Sequence, residues 1–383
     1  MQQVKIDNWK WQIEDTALLH GWFEHWEDIA GKNTVKENPI RIVFKVDDLF
    51  YVKLERATGF WHKIRSTLHP KAAREFAVGQ ALEAADVPVV KHLGWARNGS
   101  ANMLLTEAMP DSRSVLEYWY SEIIYGSLEP NKFLAGFSKF LKTFFTSGFY
   151  HPDFHIGNIL YSPATENFAL VDVYGISFAG KLSPRQIAAH NRIFLELRRG
   201  LSDSEAVDFI TRTCNNLTSE KARDFWQDGL KNRVAKIQKD WTKRQTQIRN
   251  NYAKFIEVVK TPENEFLVRK QPGPVPSIKL TNIPDCLNGN NFDIIRLSQN
   301  EAEELWLESF HWELLGIDHL RPLVFEKPGV LYFEKAPHDA HTPSPEKTEE
   351  FVKRAKTAGI EINSETLQQF PGGRITTALD TSL

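Results

Sequence analysis

Cysteine is nearly absent: Cys214 and Cys286 are the two in a chain of 383 residues. They form neither a disulfide framework nor a metal-ligand spacing, which points to a reducing compartment. Long apolar runs are missing too. No stretch of roughly 18 apolar residues occurs, and Met1-Gln2-Gln3-Val4-Lys5-Ile6-Asp7 holds no apolar signal segment. The expected location is therefore the cytoplasm, with at most peripheral membrane contact. Nor is there an excess of one charge, since 47 Lys and Arg stand against 49 Asp and Glu for a net charge of −2. That balance argues against general nucleic-acid binding. What remains, 42% apolar and 25% charged residues, is an ordinary globular composition, and the length allows two or three domains with a large core.

One stretch carries chemistry. His151-Pro152-Asp153-Phe154-His155-Ile156-Gly157-Asn158-Ile159-Leu160 is followed by Phe168-Ala169-Leu170-Val171-Asp172. Phosphoryl transfer needs a carboxylate to take the acceptor hydroxyl's proton and oxygen groups to hold Mg²⁺ against the ATP phosphates. Asp153 fits the first role, and Asn158 and Asp172 the second. The apolar runs on either side predict two short strands of a hairpin that fixes these groups. His151 and His155 read as hydrogen-bonded loop scaffolding, because Mg²⁺ prefers oxygen. Chance supplies an isolated Asp-x-x-x-x-Asn often, but seldom this joint pattern.

Tyr150 to Leu160 resembles the catalytic loop of the lipopolysaccharide core kinases of the Kdo/WaaP type, small kinase-fold enzymes of Gram-negative bacteria. The resemblance spans residues 40 to 200, roughly two-fifths of the chain. It implies an α+β, protein kinase-like two-lobed fold with a small β-rich lobe (1–110) and a large helical lobe (111–255), followed by a C-terminal α+β extension (256–383). It also implies ATP and Mg²⁺ as cofactors, a sugar hydroxyl of the inner core (heptose or Kdo) as acceptor, and a lipid-linked core oligosaccharide as partner. Aminoglycoside- or choline-type kinases share the Asp-x-His-x-x-Asn element and remain alternatives, as does a binding protein on an inactive kinase fold. The Lys-x-Gly-Gln segment of the ubiquinone-associated atypical kinases is not found.

Along the first half, Trp9-Lys10-Trp11-Gln12-Ile13 alternates as a strand does, opening a leading strand and helix. Residues 40–46 and 49–54 read as a hairpin turned at Asp47-Asp48. Lys53 falls where the family places its phosphate-binding lysine, with Lys45 the competing one. Residues 70–82 predict a helix with Phe76, Ala77 and Ala81 as its apolar positions, on which Glu75 matches the carboxylate that pairs with the lysine and Glu83 is the fallback. Met103 to Pro110 reads as a strand running into a hinge, where the backbone of Glu107 to Met109 would face adenine. Gly31-Lys32-Asn33-Thr34 is the nearest thing to a phosphate-covering loop, with one glycine where kinases have three. Residues 132–147 predict a buried helix.

Farther on, Ser183-Pro184 starts a helix running to Gly200, Ser202-Asp203-Ser204-Glu205 is a capping box, and residues 218–255 read as helix interrupted at Gly229. Between Lys231 and Lys254 eight basic residues face one acid, Asp240, beside an apolar stripe of Val234, Ile237, Trp241, Ile248 and Tyr252. This predicts either a solvated helix docked by its stripe or a surface for an anionic glycolipid or membrane. Beyond residue 255 a faint repeat predicts a degenerate second kinase-like unit: strands at 256–260 and 265–269 echo residues 42–54, and the helix 301–315 echoes the one carrying Glu75. The strands 322–326 and 329–336 echo those before the hinge. In that register Ser364 and Gln369 stand where Asp153 and Asn158 stand, and Asp380 where Asp172 stands.

Overall fold

The computed structural model describes all residues except 127, 215–216, 251–254, 271–286, 288–291, 336–341, 363–366, 370–374 and 377–383. Cys286, Tyr252, Lys254, Ser364 and Asp380 lie outside the described residues. The chain is mixed α+β and divides into two compact units, Met1–Val115 with Ala135–Asn191 and Leu116–Leu134 with Arg192–Leu383. This division cuts across the expected 111–255 segment. Among the described residues no helix is long and apolar enough to cross a membrane.

The first unit opens with a hairpin, β1 (Gln2–Ile6) and β2 (Trp9–Ile13), in which Trp9, Trp11 and Ile13 are buried and Lys10 is exposed. α1 (Trp26–Asn33), β3 (Thr34–Asn38), β4 (Arg41–Val46) and β5 (Phe50–Glu55) follow. Asp47 and Asp48 take φ of 47° and 55°, the left-handed pair at the centre of a tight turn that Leu49 N–H closes on Val46 C=O at 2.9 Å. Next come α2 (Phe60–Leu68), α3 (Lys71–Glu83), β6 (His92–Asn98) and β7 (Ala101–Glu107). The sheet has seven strands, all pairs antiparallel, in the order β1-β2-β6-β7-β5-β4-β3. One face buries Trp11, Phe23, Phe44, Val52 and Leu54, and the other takes Ala72 and Phe76 of α3 against Leu104. The buried positions of α3 are Ala72, Glu75, Phe76, Gly79 and Leu82; Ala77 and Ala81, expected inside, point to solvent.

After β8 (Arg113–Ser114) and α4 (Val115–Tyr118), α5 (Asn131–Thr146) brings Phe137 and Phe140 onto Phe168 at 5.3 and 5.7 Å, and Phe144 onto Phe154 at 4.7 Å. β9 (Phe149–Tyr150), β10 (Ile159–Ser162), β11 (Asn167–Leu170), β12 (Ser177–Phe178) and α6 (Pro184–Asn191) complete the unit. β10 and β11 form the expected hairpin. α6 stops at Asn191 and a 3-10 stretch runs from Arg192 to Leu197, so the expected single helix to Gly200 is two elements.

In the second unit α7 (Asp203–Thr213) carries the full Ser202–Glu205 capping box. α8 (Ser219–Arg249) passes Gly229 without a break. A Cβ at Gly229 would lie 2.7 Å from Leu195 Cδ2, so glycine is there for close contact and not to end the helix. Then follow β13 (Ile256–Lys260), β14 (Glu265–Arg269), β15 (Phe292–Arg296), α9 (Gln299–Leu315), β16 (Pro322–Glu326), β17 (Val330–Glu334), α10 (Pro345–Thr357) and the short pair β18 (Gln368–Gln369) and β19 (Ile375–Thr376). The five-stranded sheet runs β13-β14-β16-β17-β15. Its core joins Leu305, Trp306 and Phe310 of α9 to Ala355 of α10 and to Val234, Ile237, Trp241 and Ile248 of α8.

The two sheets share a topology. Hairpin, strand, helix and two strands recur in chain order, and β1-β2-β6-β7-β5 in space matches β13-β14-β16-β17-β15. The details align as well. Glu107 N–H donates to Lys91 C=O and Glu334 N–H to Arg321 C=O, each at 2.9 Å. A register shift follows His92 in one ladder and Pro322 in the other. Val87 N–H closes α3 on Leu82 C=O at 3.0 Å, as Ile317 N–H closes α9 on Trp312 C=O at 2.9 Å. With Phe50 opposite Glu107 and Phe292 opposite Glu334, Lys53 stands opposite Leu104 and Ile295 opposite Leu331. Counting back equally from the two helix ends, Leu305 occupies the place of Glu75. The hairpin at 256–269 therefore matches β1 and β2, and not residues 42–54 as expected.

Candidate functional site

The loop from His151 to Asn158 is a chain of short-range hydrogen bonds. His151 N–H donates to His190 Nε2 at 3.0 Å, and His151 Nδ1 accepts from Asp153 N–H at 3.2 Å. Burial drives both imidazoles down to about 4, so both are neutral acceptors at pH 7. His155 Nδ1 accepts from Gly157 N–H at 3.0 Å, which leaves its Nε2 3.7 Å from Asp153 Oδ2. Asn158 donates through Nδ2 to Asp153 C=O at 3.1 Å, and its own C=O accepts from Val171 N–H at 3.0 Å. Both histidines therefore hold the loop's shape. Asp153, with its side chain 82% exposed, is presented at the loop's surface.

Leu170 fixes the next group by bonding both ways to the segment before β6: its N–H to Pro88 C=O at 3.0 Å and its C=O from Val90 N–H at 3.1 Å. Asp172, two residues on, has φ of 55°, a left-handed conformation that Asp tolerates better than most residues. Its Oδ1 lies 2.9 Å from Lys53 Nζ. The same ammonium donates to Glu75 Oε1 at 2.6 Å and Oε2 at 2.9 Å. Strand β5 turns Lys53 toward α3, and Glu75 meets it from one of that helix's buried positions. Burial opposes the Lys53 charge, but Glu75 and Asp172 outweigh it and hold its pKa above the ordinary lysine value. Burial pushes the Glu75 carboxyl up against the pull of Lys53. Asp172, also penalised by burial, is nonetheless held below the usual carboxylate range by Lys53 and then Arg41.

Lys53, Glu75 and Asp172 thus meet at one ammonium, while Asp153 and Asn158 are bonded to each other in the adjoining loop. Lys45 turns away to Asp48 at 2.5 Å, and Glu83 is exposed, so neither rival takes part. At the expected hinge, Glu107 N–H is spent on Lys91 C=O, Ala108 N–H on Leu49 C=O at 2.7 Å, and Met109 C=O accepts from the Ser112 hydroxyl at 2.7 Å. Gly31, Lys32 and Asn33 close α1 and Thr34 begins β3, so these four residues are no phosphate-covering loop. The turn that joins β3 to β4 is Pro39-Ile40, without glycine, and is held by Ile40 N–H on Asn38 Oδ1 at 3.0 Å.

Two participants escaped the sequence reading. Arg41 lies 3.8 Å from Asp172 Oδ2 and 2.8 Å from Glu55 Oε1. Its signal was available: turning the hairpin at Asp47-Asp48 sets Arg41 opposite Glu55 and on the face that carries Lys53. His190 had no such signal, since its role depends on where α6 packs. In the second unit the equivalents of Lys53 and Glu75 are Ile295 and Leu305, the second buried in an apolar core and the first packed against it. No protein-family model matches the chain, and no curated protein matches it either.

Proposed function

We propose that the first unit is an ATP- and Mg²⁺-dependent phosphotransferase of kinase-like, two-lobed architecture, acting on a sugar hydroxyl of the lipopolysaccharide inner core, heptose or Kdo. The observation that carries this reading is the convergence of Glu75 and Asp172 on the Lys53 ammonium. The strand order β3-β4-β5-β7-β6, with α3 between β5 and β6 in sequence, supports the small-lobe reading. Lys53, held by Glu75, would bind the α- and β-phosphates, and the hinge from Glu107 to Met109 the adenine edge. Asp153 would accept or orient the acceptor's proton.

The metal fits the donors available. Asn158 commits its Nδ2 to Asp153, so Oδ1 is the atom it has to offer, and Asp172 adds a carboxylate. Two oxygen donors suit an ion that keeps waters and takes its other ligands from phosphate. Bound there, Mg²⁺ would neutralise charge on the phosphates.

Purified protein, Mg²⁺-ATP and isolated lipopolysaccharide cores, followed by mass analysis, test the reading. A gain of one phosphate on the core is expected. Asp153→Ala should reduce transfer on the order of 100-fold while nucleotide affinity stays near wild type. Transfer within tenfold of wild type would sink the role of Asp153, and no ATP turnover with any core would sink the activity.

A further inference from the structure

The helix α2, Phe60-Trp61-His62-Lys63-Ile64-Arg65-Ser66-Thr67-Leu68, buries none of its residues. Phe60 is 70% exposed, Trp61 79%, Ile64 38% and Leu68 68%. Single exposed apolar residues are unremarkable, but four on one short helix are not. At about 3.6 residues per turn they share one side. Ser66 falls on the opposite side and ties the helix to the sheet: its hydroxyl donates to Ser100 C=O at 2.7 Å and accepts from Asn102 Nδ2 at 3.2 Å. The polar back is thus docked, and the apolar front faces outward with Lys63 and Arg65 on its flanks.

The charge around this face has one sign. Between Glu55 and Glu75 the chain has Arg56, Lys63, Arg65, Lys71 and Arg74 and no acid. Behind the helix, Arg56, Arg65, Lys71 and Arg74 line a cavity of about 560 Å³ with Tyr174, and among the described residues Glu55 is its one carboxylate. Glu55 is already shared by Arg41 at 2.8 Å and Lys71 at 3.4 Å. Among the described residues Arg56, Arg65 and Arg74 have no ion-pair partner. Helix α8, the other basic helix, differs in the decisive respect: Val234, Ile237, Trp241 and Ile248 are taken up in the core of the second unit, so it has charge but no free apolar face.

We propose that α2 is a membrane-surface helix that seats the first unit on an anionic bilayer, with the arginine-lined cavity behind it receiving acidic headgroups. Aromatic and aliphatic side chains on one face with flanking cations are what the headgroup boundary of an anionic membrane takes up. The proposal stands on the helix and the cavity alone, and vesicle binding does not depend on phosphotransfer.

Flotation of the full chain with vesicles tests it, comparing phosphatidylcholine alone with phosphatidylcholine holding about 30% phosphatidylglycerol. Wild type should float with the acidic vesicles only. Trp61→Glu with Leu68→Glu should weaken binding by about tenfold or more, with the melting temperature unchanged because both side chains are exposed. Lys63→Gln and Arg65→Gln should each weaken it about fivefold, less in high salt. Failure of wild type to float with acidic vesicles, or equal flotation of the Trp61 and Leu68 variant, overturns the proposal. So does a wild-type dimer that this variant converts to monomer without changing flotation, since α2 would then be a contact between copies.

Discussion

Replacing Lys53 and Glu75 by the residues at the matching places in the second unit, Lys53→Ile and Glu75→Leu, separates what the pair does for stability from what it does for the site. Removing one member of a buried pair typically costs about 3–5 kcal/mol, because the other is left uncompensated. Glu75→Leu should fall at or below the lower end, about 2–3 kcal/mol, since Lys53 keeps Asp172 at 2.9 Å and its side chain is 17% exposed. Lys53→Ile should cost about 3 kcal/mol at pH 7, leaving a buried carboxylate without its cation. In that variant the Glu75 carboxyl, already pushed up by burial, titrates above its unfolded value. The folded state then binds the extra proton, so the deficit should shrink as pH falls toward the unfolded carboxyl value. The double variant exchanges the ion pair for an apolar one of similar volume and should return to within about 1 kcal/mol of wild type. Asp172, 41% exposed and still near Arg41, adds little cost. Urea unfolding of the four chains measures the coupling, and Mg²⁺-ATP titration should show no binding by the double variant. If the double variant loses the sum of the two single losses, the pair is not self-contained and the match to Ile295 and Leu305 is wrong. If it binds Mg²⁺-ATP like wild type, Lys53 is not a phosphate anchor.

Asp172→Asn removes the carboxylate proposed to hold Mg²⁺ and should raise the Mg²⁺ concentration for half-maximal ATP binding by about tenfold or more; an unchanged Mg²⁺ dependence would make Asp172 only a turn residue. Gly79→Ala would set a Cβ 2.3 Å from His92 Nδ1, and that ring is tied to Val90 C=O at 2.8 Å, so α3 must shift. A loss of about 1–3 kcal/mol in urea unfolding is expected despite alanine's better helix propensity, with His92→Ala relieving it. Acid should destabilise the first unit through His92, His151 and His190, each held at about 4 by burial. Their unfolded forms take up protons near 6.5, so stability is full above that pH and falls toward 4 by up to roughly 3 kcal/mol per histidine. Melting temperatures flat from pH 7.5 to 5 would contradict this.

The site was legible where chemistry and local geometry coincide. Asp153, Asn158 and Asp172 are set by one loop and one hairpin, and Lys53 and Glu75 by elements whose strand and helix patterns are plain. Ladder register and side-chain contact decide the rest, and neither is written locally. Gly31 ends up in α1, although Gly31-Lys32-Asn33-Thr34 reads as the nearest thing to a phosphate-covering loop. Gly229 reads as a break, yet it serves a contact with Leu195 whose chain separation no periodicity shows. The repeat was sensed through the order of its elements and the likeness of their residues, and that likeness misassigned its hairpin. The true equivalence is fixed by paired backbone bonds such as Glu107 to Lys91 and Glu334 to Arg321.

Those backbone bonds also explain how one strand order serves two ends. A ladder is indifferent to whether the side chains facing its helix are charged, so the place of Lys53 and Glu75 can hold Ile295 and Leu305 without altering the sheet. The second unit does not avoid buried charge. Arg199 and Arg269 share Glu313 at 3.1 and 2.6 Å, Arg321 meets Glu334 at 2.8 Å, and all three arginine side chains are 2% exposed or less. Burial penalises the Glu313 carboxyl, but Arg269, then Arg199, hold it far below its ordinary range. That network is enclosed, with each arginine paired to a carboxylate inside the unit. In the first unit the pair is enclosed on the Glu75 side and open on the other, where Asp172 is 41% and Asp153 82% exposed. A purely structural ion pair gains from complete enclosure once matched, whereas a site that admits phosphate must leave one side of its cation within reach. On the proposed reading, the difference in exposure, more than the presence of charge, sets the Lys53 centre apart from the Glu313 network.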